Sequence, residues 1–530
     1  MITIMNKLWS RVRAVLFLAD ERGLLLLSGL IGVGTGAAAG SFMRVVEEFQ
    51  FWPAVGGHAK LFELELTWPL LLAIPAIGGL LCGAVLKYLD PTVKGTGTPE
   101  TLLAIRRKGG YIGGRYTAVK TLASFFTVCS GGSAGPEAPM VAVGAGLGSW
   151  CGRRLGVAAE DVRILVAAGA AAGFAAVFNA PIAGVLFAIE VLLKEFTSQA
   201  FAMVMLATVS ASVTAKLILG ERTFVEVPSS YAFNRIEELG FYLILAILAG
   251  AFAKLFVATS LAVDKKFEKT VASPMWRAAL GGLLLGALGL ALPQALGNSH
   301  LVIPDLIRAE AGSHWAWAFL LALLFGKLIA CPLTVGSGGS GGIFIPYLLM
   351  GAALGGLVGR VVGAYFPWAA PSGAYMLVGM GAVFGGITFA PFTAIILLFE
   401  LTRDYSIILP MMFTVGITVM VARAIDPHSL EGHKLAKKGV KLHEDPELRV
   451  LEKYHVRDIM SHPPGAEAAR EVRRLTHAEL PKVGPDEPLE HAIRLMQKAG
   501  ADRVLVAEAH EIVGQVTQGD ILSIYSRFFD

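Results

Sequence analysis

Glu137 is the single carboxylate in a run of glycines, small residues and prolines, Gly131-Gly132-Ser133-Ala134-Gly135-Pro136-Glu137-Ala138-Pro139, with apolar sequence on both sides. A Gly-rich loop that opens a helix presents unpaired backbone N–H groups and the positive end of the helix dipole. Such an end attracts anions. An acid at that place, deep in apolar sequence, is costly unless it has a function. The chemistry expected of it is competition with a diffusible anion for the same N–H groups. Two further loops carry the same chemistry. Gly95-Thr96-Gly97-Thr98-Pro99-Glu100 offers the Thr96 hydroxyl beside glycine N–H groups, and Gly342-Ile343-Phe344-Ile345-Pro346 offers the N–H groups of Ile343 and Phe344. Other chemistry finds no support. No nucleophile–base pair or His/Asp/Glu metal cluster accompanies Glu137, Glu190 or Glu400, so an enzyme working through buried acids is disfavoured and no metal is expected. Cys82, Cys129, Cys151 and Cys331 form no CxxC pair and read as structural thiols.

The elements that must hold these loops are membrane helices. Of 530 residues, 55% are hydrophobic and 16% charged, and the mean hydropathy is +0.62, where a soluble domain carries about 25% charged residues. Apolar runs near 24–43, 70–86, 241–257 and 315–330 are long enough to span or nearly span a bilayer. The chain is therefore read as an all-α polytopic membrane protein. Its net charge of +4 is small and fits basic inner loops rather than nucleic-acid binding. Residues 1–22 lack the apolar core and cleavage site of a signal peptide. With Lys7, Arg11 and Arg13 among apolar neighbours, they read as an amphipathic helix at the inner surface.

The membrane part, 23–426, repeats itself. Gly135–Pro139 aligns with Gly342–Pro346 at a separation of 207 residues, and Gly144, Leu147 and Gly148 fall on Gly351, Leu354 and Gly355. Ala180-Pro181 and Glu190 match Ala390-Pro391 and Glu400 at 210. Two related halves, about 25–215 and 240–425, follow. Broken segments at corresponding places in two halves point to a transport site near the bilayer midplane. After Asp426 the composition turns charged: 427–455 reads as a linker containing the basic run 433–438, and 456–530 as a small domain ordered helix, strand, helix, strand, strand, helix. Its second helix is expected over 489–499, its later strands over 503–507 and 512–515, and its last helix over 521–528.

Taken in order, the Gly95–Glu100 loop, Gly135–Pro139, Phe178-Asn179-Ala180-Pro181-Ile182-Ala183-Gly184 and Gly342–Pro346 resemble the motifs of the CLC family of chloride channels and chloride/proton exchangers. The end of the chain resembles a CBS unit, through Val456-Arg457-Asp458-Ile459-Met460 and Thr517-Gln518-Gly519-Asp520. The resemblance implies two inverted halves of broken, tilted helices, a small α/β cytoplasmic domain, and a homodimer with one anion path per subunit. It makes Glu137 the gating glutamate, which occupies the outer anion site when ionised and swings away when protonated. Thr96, Gly97, Gly135, Ala138, Ile343 and Phe344 become the anion-binding positions. Pro136 stands where the family has a basic residue and Ala138 where it has glycine, which bears on gate kinetics and anion affinity.

Two departures point inward. The inner proton-relay acid of exchangers falls on Val191, next to Glu190, and a valine carries no proton. Glu195 would share a face with Val191 if that helix continued, but is expected at the helix end facing water. The inner-gate tyrosine falls on Glu431, following Ser429-Leu430. Both departures favour a glutamate-gated passive chloride channel, with a chloride/proton antiporter as the alternative. A nucleotide-sensing CBS protein on a membrane anchor is a distant third, because the many repeated segments exceed what an anchor needs. The CBS unit is expected to act as a structural prop across a dimer. Nucleotide binding through Thr517 and Asp520 is its alternative, and no other cofactor is expected. A prokaryotic inner membrane with both termini cytoplasmic suits the compact length.

Overall fold

The structure is a computed structural model that describes residues 21–49, 52–53, 59–61, 64–65, 68–93, 95–221, 235–300, 302–310, 317–438, 454–461, 480–508 and 511–529. The amphipathic helix expected over 1–22 lies almost wholly outside them. The chain forms two compact units, Met1–Lys438 and Gly439–Asp530.

In the first unit, α1 (Glu21–Phe49) leads through three short strands, β1 (Trp52–Pro53), β2 (Ala59–Leu61) and β3 (Leu64–Glu65), to α2 (Trp68–Tyr88), α3 (Thr98–Arg107), α4 (Gly114–Cys129), α5 (Glu137–Arg154) and α6 (Ala159–Phe178). Next come α7 (Pro181–Phe187), which runs on as a π-helical turn Ala188–Leu193, and α8 (Ser198–Leu219). The second half repeats the series: α9 (Leu239–Thr270), α10 (Pro274–Ala291), α11 (Val302–Glu310), α12 (Trp317–Gly336), α13 (Phe344–Tyr365), α14 (Ser372–Thr388), α15 (Pro391–Thr402) and α16 (Ile408–Ile425). Among the described residues, nine helices are long and apolar enough to cross a membrane, and 181–193, α14 and α15 are shorter apolar helices. The protein is a multi-pass membrane protein. Chain leaving α16 does not pass directly into a linker: Ser429 caps a further helix, α17 (Leu430–Lys437), through its hydroxyl and the Gly432 N–H at 3.1 Å. This helix belongs to the first unit.

Inversion of the halves, which spacing could not reveal, is visible at their centre. Gly135 and Gly342 form an antiparallel bridge, with each N–H donating to the other's carbonyl at 2.7 and 2.8 Å. A reciprocal antiparallel pair between equivalent residues is what a two-fold relation produces. The same symmetry recurs nearby. The Thr127 hydroxyl accepts from the Ser340 N–H at 3.1 Å, and the Thr334 hydroxyl from the Ser133 N–H at 3.0 Å. Thr127 with Thr334, and Ser133 with Ser340, are each 207 residues apart.

The second unit follows the expected order: α18 (Val456–Ile459), β4 (Lys482–Val483), α19 (Leu489–Ala499), β5 (Arg503–Glu508), β6 (Glu511–Thr517) and α20 (Gln518–Phe529). β4 runs parallel to the central β5, and β6 antiparallel to it. Val456, Val483, Leu489, Met496, Val504, Val506 and Val516 form its core. These are the alternate or one-face positions of their elements, so the apolar pattern alone accounts for which sides face inward.

Helices of the first unit approach at backbone contact where glycine faces glycine. A Cβ added to Gly144 of α5 would lie 1.9 Å from the Gly169 carbonyl oxygen of α6. One added to Gly351 of α13 would lie 2.3 Å from the Gly379 oxygen of α14. Small residues permit such seams, and packing at van der Waals contact is what holds helices together in lipid. A Gly351→Val variant is therefore expected to lose about 3 kcal/mol or more through overpacking against backbone, observed as a lower thermal-unfolding midpoint in detergent. Gly363→Val, at a site with nothing within 4 Å, should leave that midpoint near the parent value.

Candidate functional site

Glu137 opens α5, and its carboxylate reaches across the two-fold to the start of α13. Its Oε1 accepts from the Phe344 N–H at 2.8 Å and the Ile345 N–H at 3.5 Å. The residue is 1% exposed, and Oε2 has no hydrogen-bond partner. Because 137 and 344 are equivalent positions, the acid rests on the backbone of its own repeat mate. Space for it comes from the two bridged glycines. A Cβ on Gly135 would lie 1.9 Å from Oε2, and one on Gly342 would lie 2.2 Å from the carboxyl carbon. The carboxylate thus sits where a small anion would meet an α13 N-terminus.

The other expected positions divide. Phe344 offers its N–H as anticipated, but the second amide in contact is Ile345. Ile343 is the residue before the helix, and its carbonyl accepts from the Tyr347 N–H at 3.2 Å. The expectation of a Gly135 amide for an anion needs correction, because that N–H is already bonded to the Gly342 carbonyl. Gly135 serves by having no side chain. Ala138 is buried in the first turn of α5, and Gly97 lies against it, 3.6 Å separating a Cβ built on Gly97 from the Ala138 carbonyl oxygen.

Thr96 is buried, and its hydroxyl has no hydrogen-bond partner. It lines a cavity of about 290 Å³ whose charged walls are Arg277, Lys434, Lys437 and Lys438 against Glu100, Asp264 and Glu268. Lys438 pairs with Glu100 at 2.5 Å and Lys437 with Glu268 at 2.6 Å. Asp264, Val335, Gly336 and Lys434 also border a constriction of about 10 Å³, which continues to Phe256, Cys331, Ile343 and Leu430. That space is close to the least a water molecule needs. The mixed-charge cavity and the constriction thus share the walls Asp264, Val335, Gly336 and Lys434, and the constriction is bordered by Ile343, the residue before the helix whose N–H groups hold Glu137.

Acids expected further inward are mostly engaged in holding the halves together. Glu190 accepts from the N–H groups of Phe392 (3.1 Å) and Thr393 (2.8 Å) and from the Thr393 hydroxyl (2.7 Å) at the start of α15. Glu400 does the reciprocal at the start of α7, accepting from Ile182 at 3.0 Å and Ala183 at 2.7 Å. Each acid satisfies N–H groups that a helix start leaves open. Val191 lies in the π-helical turn that follows α7. The helix does not continue to Glu195: it stops at Leu193, and Lys194 takes a left-handed conformation with φ 56°. Glu431 is buried, 5% exposed, in the first turn of α17. In the second unit, Thr517 and Asp520 bond each other. Asp520 accepts from the Thr517 N–H and hydroxyl at 2.8 and 2.7 Å, which caps α20.

Two buried lysines were missed by motif reading. Lys120 and Lys327 are both fully buried and 207 residues apart, and that repeat spacing was the available signal. Lys120 donates to the Gly95 carbonyl and so ties down the Thr96 loop. Lys327 donates to the Gly297 carbonyl at 2.8 Å and to the Ser133 hydroxyl at 3.1 Å.

Broken helices meeting end-on at a two-fold, with an acid seated on helix-start amides, define a membrane anion transporter. The voltage gated chloride channel family model matches residues 78–423, and a CBS domain model matches 456–527. The chain belongs to that CLC family. It is 33% identical over 420 residues to a putative chloride channel protein ClcB-like from Ralstonia nicotianae, covering 78% of this chain and 97% of that one. It is 29% identical over 427 residues to the H(+)/Cl(-) exchange transporter ClcA of Yersinia pseudotuberculosis, covering 79% and 88%. Its fold resembles the crystal structure of a slow cyanobacterial Cl−/H+ antiporter, with a TM-score of 0.70 at 24% identity over 78% of this chain and 97% of the other.

Gly342→Ala tests the cradle. The added methyl is expected to push the Glu137 carboxylate off the Phe344 and Ile345 amides. Chloride efflux from liposomes should then rise at neutral pH and lose most of its increase on acidification.

Proposed function

We propose that the protein exchanges chloride for protons, with Glu137 alternating between the α13 amides and a protonated, displaced position. The observation that carries this reading is the Glu137 Oε1 to Phe344 N–H hydrogen bond at 2.8 Å. Ionised, the carboxylate competes with chloride for the amides. Protonated, it is a poorer acceptor and yields the place. One residue thereby links the arrival of a proton to the entry of an anion. In this reading Thr96, Gly97, Ala138, Ile343 and Phe344 line the anion route, with Ile345 added to them.

The passive channel favoured by Val191 and Glu431 is the weaker of the two readings. A relative of 29% identity bears the name of an H(+)/Cl(-) exchange transporter, and the seated Glu137 supplies the proton carrier that such exchange needs at one end. A homodimer, a prokaryotic inner membrane, cytoplasmic termini and a propping role for the CBS unit belong to the same proposal. The mutual bonding of Thr517 and Asp520 favours the prop over nucleotide binding.

The decisive measurement is the reversal potential of the reconstituted protein at fixed chloride under a pH gradient. Exchange shifts it with the gradient, whereas a value pinned to the chloride potential would overturn the proposal. Anion flux is expected to rise as pH falls through the Glu137 titration, because protonation vacates the amides. In Glu137→Gln the flux should be independent of pH, and proton movement should fall to about a hundredth of the parent or less, the scale of losing a positioned proton-transfer group.

A further inference from the structure

Proton exchange requires a group that hands protons to Glu137 from the inner side, and the residues nearest that role are otherwise occupied. Val191 has no titratable atom. Glu190 and Glu400 have both carboxylate oxygens on helix-start N–H groups. Glu195 lies past the end of its helix. Glu431 stands differently. It is buried beside Leu430 and three residues before Lys434, both of which line the constriction.

Tyr347 lies in the first turn of α13, three residues after Phe344, and is fully buried. Its ring meets Phe256, a wall of the constriction, edge-on at 5.1 Å, and Phe344, whose N–H holds Glu137, at 6.1 Å. The Tyr347 hydroxyl has no hydrogen-bond partner, and neither does Glu137 Oε2. Both the Glu431 and the Glu137 carboxylates act electrostatically on that hydroxyl. An unpartnered buried hydroxyl calls for an explanation, and a phenol can accept one proton while releasing another.

We propose that Glu431 is the inner proton acceptor of this transporter and that the Tyr347 hydroxyl passes its proton to Glu137. The inference rests on the exchange reading above. In the transfer, the Glu431 carboxylic acid gives up its proton toward the Tyr347 oxygen while the Tyr347 O–H proton moves to the Glu137 carboxylate, through water where a gap exceeds hydrogen-bond length. Glu431 ends ionised, Glu137 ends protonated, Tyr347 regains its proton, and no electrons change hands. The residue that removes the inner-gate phenol from α17 thus supplies the acid that Val191 lacks, and a phenol returns from α13. The charged and titratable groups around the path are few. Lys434 faces Glu431 from its own helix, Cys331 of α12 faces Tyr347, and Asp264 of α9 borders the constriction.

The full-length protein in liposomes, with chloride efflux and proton uptake recorded together, tests the idea. Wild type showing no proton uptake would sink the exchange reading itself. With wild type coupled, Glu431→Gln and Tyr347→Phe should each lower the proton-to-chloride ratio by about tenfold or more, and Glu431→Asp should retain it. A wild-type ratio in Glu431→Gln would overturn this inference alone. Should Glu431→Gln fail to yield folded protein, Tyr347→Phe decides, since it removes only an unpartnered hydroxyl: an unchanged ratio rejects the relay.

Discussion

Two hydrogen bonds between Gly135 and Gly342 fix the centre of this molecule. They bring the starts of α5 and α13 to one point. No side chain can stand at either position, because the space belongs to the Glu137 carboxylate. The starts of two helices meet there, and the Glu137 carboxylate fills the space on the Phe344 and Ile345 N–H groups. The bridge also satisfies two backbone pairs that would otherwise be stranded at depth, where no lipid can bond them.

The same two-fold determines how other buried polar groups are satisfied. Glu190 and Glu400 each close the start of a helix in the opposite half, and Thr127 and Thr334 do so for loop amides. Lys120 and Lys327 hold loop carbonyls in place. A charge within a membrane protein must be paired or bonded, and here pairing across the halves serves as the clamp between them. Against that background the unpartnered atoms are informative. Among the buried side-chain atoms without a partner are the Thr96 hydroxyl, Glu137 Oε2 and the Tyr347 hydroxyl.

Much of this was legible in the chain. Long apolar runs, Gly/Pro breaks and a repeat of about 207 residues gave a two-half membrane protein, and the alternating and helical periods gave the small α/β unit in its correct order. The Glu137 and Phe344 loops were legible as helix starts because glycines and prolines signal where a membrane helix breaks. Where motif reading fell short, the cause was partnership. Gly135 looked like a donor but its N–H is spent on Gly342. Glu190, beside the lost relay position, closes the start of α15. Lys120 and Lys327 belong to no motif, and only their partners in the fold bring them out.

Sequence alone thus determined the class of protein, its repeat, and Glu137 as the acid among helix starts, since each depends on composition or on spacing along one chain. Tertiary structure decided that the halves are inverted, that the Glu137 carboxylate rests on Phe344 and Ile345, and that the Tyr347 ring packs between Phe344 and Phe256. The physical reason is that a hydrogen bond joins atoms brought together by folding, here across about 200 residues, and no local pattern records which donor a distant acceptor will meet.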